Sequence, residues 1–401
     1  YDKALTHFKA YLDNIKPSNP NYNDATVRLA DTYYVNKNYN EALNLYERVI
    51  SSSSPDRDYA LFQKGVVLGI MNRNDKAKDA LQELINKYPN SRYRDDAMYQ
   101  YAVIDFEGGN YQAAVQGFSR LINGVPDSKL VPNALQKRGI AYSNLRQNNL
   151  AIADQQRVLT EFPDSKVASG ALYSLLEVLG QENRSSEFDQ YVEKYKSANP
   201  ESGALESIEF EAAKTLYFNQ KYKEAAAKLE NYLKSYPNSS FVPDARYYLA
   251  DAYLRSDNKQ AGVKLMKQVV TENRSEFVNR AIQRVADLEF EAKNYSEAIK
   301  YYGRLRDLAT NRKEQQTALL GLMQSYFRNN DYAATKRVAS ELISQGNASL
   351  NAYNSALLFR AKATYAQGNM EQALTEFRET STSASDINGA EAHYLISEIL
   401  F

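Results

Sequence analysis

The stretch Tyr88-Pro89-Asn90-Ser91-Arg92 decides the fold. It returns as Val125-Pro126-Asp127-Ser128-Lys129 and as Phe162-Pro163-Asp164-Ser165-Lys166. A worn copy follows at Asn199-Pro200-Glu201-Ser202, then a clean one at Tyr236-Pro237-Asn238-Ser239. The prolines at 89, 126, 163, 200 and 237 stand 37 residues apart, as do the serines two places on, although the chain has only 10 prolines. Half of all prolines keeping one beat marks a repeated structural unit.

Each copy reads as a stop followed by a start. Proline lacks an N–H and clashes with the carbonyl four residues back, so it ends a helix. It also pushes the residue before it out of the helical region. Asn or Asp followed by Ser favours a turn, and their side chains can accept bonds from the free N–H groups that open the next helix.

Between two such joints the pattern is helical and comes in two halves. In the third copy, Ala97, Tyr101, Ala102 and Phe106 recur three and four apart, Gly108-Gly109-Asn110 interrupts them, and Tyr111, Ala114, Phe118 and Leu121 resume. That spacing predicts helix A, a tight turn and helix B. Ala102 lies twelve residues before Ala114, and the same small-to-small interval joins Ala30 to Ala42, Gly65 to Ala77, Gly139 to Ala151 and Ala213 to Ala225. It continues as Ala250 to Gly262, Ala286 to Ala298 and Ala361 to Ala373. Four residues beyond the second member stands a bulky side chain in most copies: Tyr46, Leu81, Phe118, Leu229, Met266, Tyr302 and Phe377. Two antiparallel helices on a short turn can touch only where neither carries bulk. Leucine at Ala102 or Ala114 is therefore expected to overpack the crossing and cost roughly 1–3 kcal/mol.

Small, small at plus twelve, aromatic or Leu at plus sixteen and Pro at plus twenty-four resembles the tetratricopeptide repeat, a helix-turn-helix usually about 34 residues long. Here the period is 35 to 38, with the extra residues in the joint. The long joint before an Ala/Tyr/Leu-rich helix, cleanest from Tyr236 to Tyr253, is similar to a bacterial envelope subgroup that includes the Tol–Pal accessory protein and the BamD-type outer-membrane assembly lipoprotein. The resemblance implies an all-α, right-handed superhelical α-solenoid over residues 1–401, one continuous domain. About ten full repeats, 21–382, are flanked by half repeats 1–20 and 383–401.

Departures from the pattern set further expectations. The fifth copy places Leu176 and Phe188 where small residues belong, so a change of curvature is expected near 185–205. The ninth has Thr335 at its second small position. No proline follows Pro243, so later joints must turn by other means. Tyr1, Ala4, Leu5, Phe8 and Leu12 match a B helix without its A partner, and Ala390 to Phe401 an A helix without its B partner. Neither end has the polar outer face of a solenoid cap. The chain is therefore expected to be a piece of a longer protein, with an export signal or lipid anchor upstream.

Composition narrows the chemistry. Lys plus Arg and Asp plus Glu both number 49, a balance that gives no attraction to nucleic acid or anionic membrane. No run of 18 apolar residues exists, so no transmembrane segment is expected. With no cysteine there is no disulfide and no thiolate site. The only histidines, His7 and His393, fall in the two end half-repeats, which argues against a metal or a histidine base. Asp95-Asp96 opens a helix, where negative charge offsets the macrodipole. Gly108-Gly109 and Gly368 lack a preceding strand, so no phosphate loop is implied. Arg73, Lys76 and Lys78 alternate with Asp75 and Asp79 as a solvated face does. Ser51 to Ser54 and Ser381-Thr382-Ser383 read as linkers. The Asn-X-Ser triplets at Asn183, Asn238, Asn273 and Asn347 are expected by chance. No catalytic residue, cofactor or metal is expected.

What remains is a surface. The resemblance implies that A helices line a concave groove, with groove-facing positions three before and one and four after the first small residue. These are Val27, Asp31 and Tyr34; Tyr99, Val103 and Phe106; Gln136, Ile140 and Ser143; Phe210, Lys214 and Tyr217; and Gln283, Asp287 and Phe290. Aromatics among Gln, Asp and Lys suit a peptide or partner helix, because a few aromatic anchors dominate such interfaces. The competing role for each ring is packing against neighbouring helices. With 32 Tyr, 15 Phe and no Trp, the chain has rings enough for both.

The expected function is a non-catalytic scaffold for protein or peptide partners. The resemblance places it in a bacterial envelope complex, in the periplasm or attached to the outer membrane. A helical-repeat enzyme acting on cell-wall polysaccharide would need two carboxylates on one cleft and sugar-stacking rings. The absence of Trp and of a long break in the repeat argues against it. A cytosolic receptor built on the same array is the third reading, and an upstream export signal would separate it from the first.

Overall fold

The computed structural model describes residues 2–256, 258–346 and 348–401; Tyr1 and Asn347, invoked above, lie outside them. The described residues form 22 α-helices and no strand. The chain divides into two compact units, Tyr1–Ile208 and Glu209–Phe401. The first holds α1 (Asp2–Asp13), α2 (Tyr22–Val35), α3 (Tyr39–Ile50), α4 (Arg57–Ile70), α5 (Asn74–Lys87) and α6 (Arg94–Glu107). It continues with α7 (Tyr111–Gly124), α8 (Val131–Asn144), α9 (Asn148–Glu161), α10 (Ala168–Gln181), α11 (Asp189–Ala198) and the opening of α12 (Ala204–Phe218). The second holds the remainder of α12, then α13 (Tyr222–Ser235), α14 (Val242–Arg255), α15 (Lys259–Glu272), α16 (Val278–Glu291) and α17 (Tyr295–Leu308). It ends with α18 (Arg312–Arg328), α19 (Tyr332–Ser344), α20 (Leu350–Ala366), α21 (Met370–Ser383) and α22 (Ile387–Leu400). Even-numbered helices are the A helices and odd-numbered ones the B helices, so the chain is an α-solenoid of helical hairpins.

The proline joints behave as their chemistry requires. The residues before the five periodic prolines, Tyr88, Val125, Phe162, Asn199 and Tyr236, all leave the helix with φ between −125 and −141° and ψ between 50 and 67°. The serine two places after the proline does not cap the next helix directly. Ser91 Oγ accepts from the N–H of Tyr93 and donates to Asp58 33 residues back, at 2.6 Å. Ser128 makes the same pair of bonds with Leu130 and Asp95, and Ser275, in a joint without proline, makes them with Phe277 and Asp244. At these three joints the serine is thus a staple to the first turn of the previous A helix, whereas the Ser202 hydroxyl pairs with Tyr195 of the preceding B helix at 2.8 Å. Asp95 acts as part of that staple.

Within a hairpin, the turn places one residue in the left-handed region. Lys37, Asn72, Gly109, Arg146, Asn183, Gln220, Lys293, Asn330 and Gly368 have φ between 56 and 84°, each seven residues after the first small position or its equivalent. The following N–H bonds five residues back, as Asn38 does to Tyr33 and Asn110 to Asp105, closing the helix end. The small pairs then meet. A Cβ on Gly65 would lie 2.5 Å from Leu81 Cγ and 3.4 Å from the Ala77 carbonyl oxygen. One on Gly262 would lie 3.0 Å from the Ala250 oxygen. The bulky residue four places on fills the space beside the crossing, and Tyr46, Leu81, Phe118, Leu229, Met266 and Phe377 are all fully buried.

The departures have local causes. In the fifth copy Leu176 and Phe188 are both buried at the crossing, where their bulk cannot fit between full-length helices. The start of helix B is accordingly a short 3-10 turn, Ser185–Glu187, and α11 is only 10 residues long. In the ninth copy the partner of Thr335 is Met323, twelve residues earlier and also buried. After the prolines cease, side-chain caps take over. Asn311 accepts from Glu314 N, Asp331 from Ala334 N, Ser349 from Ala352 N, and Asp386 from Asn388 N and Gly389 N. The linker reading of Ser381-Thr382-Ser383 is corrected: all three lie in the last turn of α21, where Ser381 and Thr382 hydroxyls bond the Arg378 carbonyl. Back-bonding of this kind lets Ser and Thr remain helical.

Close A-to-A packing runs from α4 through α6 and α8 to α10 in the first unit, and from α16 through α18 and α20 to α22 in the second. Close B-to-B packing occurs beside the shortened helix, between α9 and α11. The A helices therefore form the crowded inner layer of each unit.

Candidate functional site

The residues expected to face a groove lie on the A helices, and most are half-buried. In the first unit, Tyr34 packs on Tyr39 at 6.3 Å between ring centroids, and Phe106 lies edge-on to Tyr111 at 5.6 Å. Tyr99 and Phe106 both touch buried Phe118, at 5.7 and 6.4 Å. Each of these rings is thus held against its own hairpin. Lys137 of α8 sits 4.7 Å over the Phe106 ring, a cation–π contact. Gln136 leans on α10, where its Nε2 leaves no room for a Cβ on Gly170. Val103 is 8% exposed and lines a cleft of about 370 Å³ between α4 and α6.

In the second unit the outcome is mixed. Phe210 does not reach the surface: it is 3% exposed, stacked on Phe241 at 5.0 Å and close to Tyr232 and Tyr248. Its neighbourhood is rich enough in rings to draw it into the core. Lys214 bonds Glu211 at 2.8 Å. Tyr217 donates to Asp251, which also accepts from Arg255, and burial beside that carboxylate pushes the phenol far up. Beside it Phe218 is 62% exposed. Gln283 lines a cleft of about 310 Å³ with Arg280, Asn311, Lys313 and Glu314.

The two acids expected in the groove are tied to the fold. Asp31 Oδ1 accepts from Tyr46 at 2.7 Å and from Tyr59 at 3.0 Å, and Asp287 accepts from Tyr302 at 2.6 Å. Burial raises both carboxyls above the ordinary value, against the opposing pull of the tyrosine bonds.

Sequence reasoning missed one recurrent element. The aromatic four places after the small residue pairs with a tyrosine five residues further on, the first residue of helix B. Tyr34–Tyr39, Phe106–Tyr111, Tyr217–Tyr222, Phe290–Tyr295 and Phe327–Tyr332 repeat it at 5.4 to 6.3 Å. The interval of five was there to be read.

Among the described residues no group of three or more His, Asp or Glu is placed to hold a metal, and no helix is long and apolar enough to cross a membrane. His7 lies with Phe8, Tyr11 and Asp24 around an open depression between α1 and α2.

Hairpins with paired small residues, a left-handed turn and a crowded A layer define a repeat protein of the tetratricopeptide type. Residues 210–276 match a family described as tetratricopeptide repeat, and residues 1–159 match YfiO, described as outer membrane lipoprotein. The first part of the chain therefore resembles that outer membrane lipoprotein family. Among solved structures, the chain is similar to a tetratricopeptide repeat protein from Parabacteroides merdae, with 16% identity, 66% of this chain and 98% of that one covered, and a TM-score of 0.38. It is also similar to yeast Tom70, at 13% identity, 100% and 92% coverage and a TM-score of 0.32. A third is a chain of Naa15/Naa10 bound to HypK-THB, at 15% identity, 98% and 63% coverage and a TM-score of 0.40. No curated protein matches the chain. Repeats of this type support a protein-interaction scaffold.

Proposed function

We propose that the chain is a non-catalytic scaffold that holds protein or peptide partners against the inner face of its A helices, within a bacterial envelope complex in the periplasm or at the outer membrane. The observation that carries this reading is the match of residues 1–159 to an outer membrane lipoprotein family. That span includes Asp31, Tyr34, Tyr99, Val103, Phe106 and Gln136. An export signal or lipid anchor preceding these residues belongs to the same reading. The mechanism is preorganisation: rings already fixed by their hairpin cost little further entropy when a partner settles on them. In the second unit, taken by itself, Gln283 and the half-buried Tyr217 and Lys214 belong to the proposed surface, with Asp287 tied to its fold as Asp31 is in the first.

Alanine at Tyr99 and Phe106 is a poor test, because both rings support buried Phe118. A photo-reactive phenylalanine analogue at Tyr34, Gln136 or Gln283 is better, compared with exposed outer-layer sites Asn44 and Gln116. The inner sites are expected to cross-link a shared set of partners in native envelopes. Equal capture from Asn44 and Gln116 would remove the assignment of the inner face.

A further inference from the structure

The cleft between α4 and α6 has an unusual lining. It is lined by apolar Val66, Ile70, Leu81, Val103 and Ile104 and by polar Asn72, Asn74 and Gln100, and its volume is about 370 Å³. Glu107 is the only ionisable side chain that lines it, and it is exposed. Ile70 and Glu107 are the last residues of α4 and α6, so both helix C-termini open onto the cleft. The negative end of a helix macrodipole favours a cation there. Gly69 leaves the middle vacant, since a Cβ on it would meet nothing within 4 Å. Ile70, at 47% exposure, is an apolar side chain left partly in water.

We propose that this cleft receives an arginine side chain of the partner. The proposal rests on the scaffold reading above and specifies what one part of that surface recognises. An arginine has an apolar stem and a planar, weakly hydrated head. The stem fits between Val66, Ile70, Val103 and Ile104, and the guanidinium reaches the Glu107 carboxylate beside the negative C-terminal ends of α4 and α6. A purely apolar side chain would leave the acidic rim unused, and an acidic one would meet Glu107 and two negative helix ends. No lysine or arginine of the chain lines the cleft to compete. Lys137 over the Phe106 ring shows that a cation settles between α6 and α8.

The test uses the whole chain with labelled Ile, Leu and Val methyls and, as probe, Nα-acetyl-arginine N-methylamide followed by NMR. The methyls of Val66, Ile70, Val103 and Ile104 are expected to shift together. The citrulline analogue, with the same shape and no charge, is expected to bind about tenfold more weakly, as loss of one charge-assisted contact would give. Gly69→Leu fills the vacancy on a helix that gains propensity, so it should abolish the shifts in a folded protein. Glu107→Gln should bring arginine down to the level of citrulline. Absent shifts at these methyls, or equal binding of arginine and citrulline, overturns the proposal. Cross-linked partners that ignore Gly69→Leu would also overturn it while leaving the scaffold reading intact. Arginine shifts without any partner captured from the inner face would do the reverse.

Discussion

Tyr46 donates a 2.7 Å hydrogen bond to Asp31, 15 residues earlier, and Tyr302 donates to Asp287 across the same interval of 15. In both hairpins the acid follows the first small residue and the tyrosine is the bulky residue after the second. One crossing therefore carries the same polar clasp in the first unit and again in the second. The clasp holds a half-buried carboxylate, and burial raises its pKa above the ordinary 3.8.

The sign of the pH effect follows from that direction. Between the unfolded value and the raised folded value, folded Asp31 keeps a proton that the unfolded chain has released. Stability from these groups therefore falls as pH rises through that window, and the ionised forms carry a cost at neutral pH. Asparagine keeps Oδ1 as acceptor for the tyrosines and never ionises. Asp31→Asn and Asp287→Asn are expected to resist urea better than the parent at pH 7, with the advantage closing as pH approaches about 4. A gap that stays constant with pH would assign the effect to packing.

The repeat, its two helices, the small pairs and the proline stops were legible because each depends on residues close in sequence. Ala102 and Ala114 reveal themselves by spacing alone. The partners that decide the surface were less legible. Whether Phe210 faces a groove depends on Phe241 and Tyr248 from the next hairpin, and whether Asp31 is free depends on Tyr59 from another. Pattern within one repeat cannot weigh contacts made by the next. The joints beyond Pro243 were legible only as a lack of proline; Asn311, Ser349 and Asp386 supply the ends instead, through bonds that their residue types permit without announcing.

The serine staple is not made in every copy. Ser91 reaches Asp58 at 2.6 Å, but the residue in the corresponding place for Ser165 is Pro132, and the Ser165 hydroxyl is buried without a hydrogen-bond partner. Removing a satisfied hydroxyl that serves a carboxylate should cost about 1–2 kcal/mol, whereas removing an unsatisfied one should cost nothing or stabilise by up to about 1 kcal/mol. Ser91→Ala is accordingly expected to lower the urea midpoint and Ser165→Ala to hold or raise it. Equal losses in both would show that the staple bond contributes nothing.

The left-handed turn residues give a stability test without side-chain contacts at stake. Lys37, Arg146 and Lys293 are exposed and hold φ of 62, 58 and 63°, a conformation that glycine adopts without penalty. Replacing each by glycine is expected to stabilise by about 0.5–1 kcal/mol, after allowing for the greater freedom of the unfolded chain. Gly109→Ala, at φ 75°, should lose about 1 kcal/mol in the opposite direction. Thermal melts of the four variants decide it, and a common sign across all four would contradict the conformational argument.

The cap that replaces proline before α18 is reciprocal. Asn311 Oδ1 accepts from Glu314 N at 3.0 Å, while the Glu314 carboxylate accepts from Thr310 N at 3.0 Å and from Asn279 Nδ2 at 2.9 Å. Asn311→Ala should cost about 1 kcal/mol, the usual worth of an N-cap. The Thr310 backbone bond, foremost among its partners, holds the Glu314 carboxyl below the ordinary 4.5. A depressed carboxyl contributes stability that is present above the unfolded value and lost as pH falls through the folded one. Glu314→Gln is therefore expected to weaken the chain at pH 7 and to become indistinguishable from the parent below about pH 3. This is opposite in sign to the Asp31 variant, so the two titrated side by side separate a half-buried carboxylate from one that closes a helix. A Glu314→Gln deficit that persisted in acid would mean the amide itself fits the cap badly, and that charge plays no part in turning this joint.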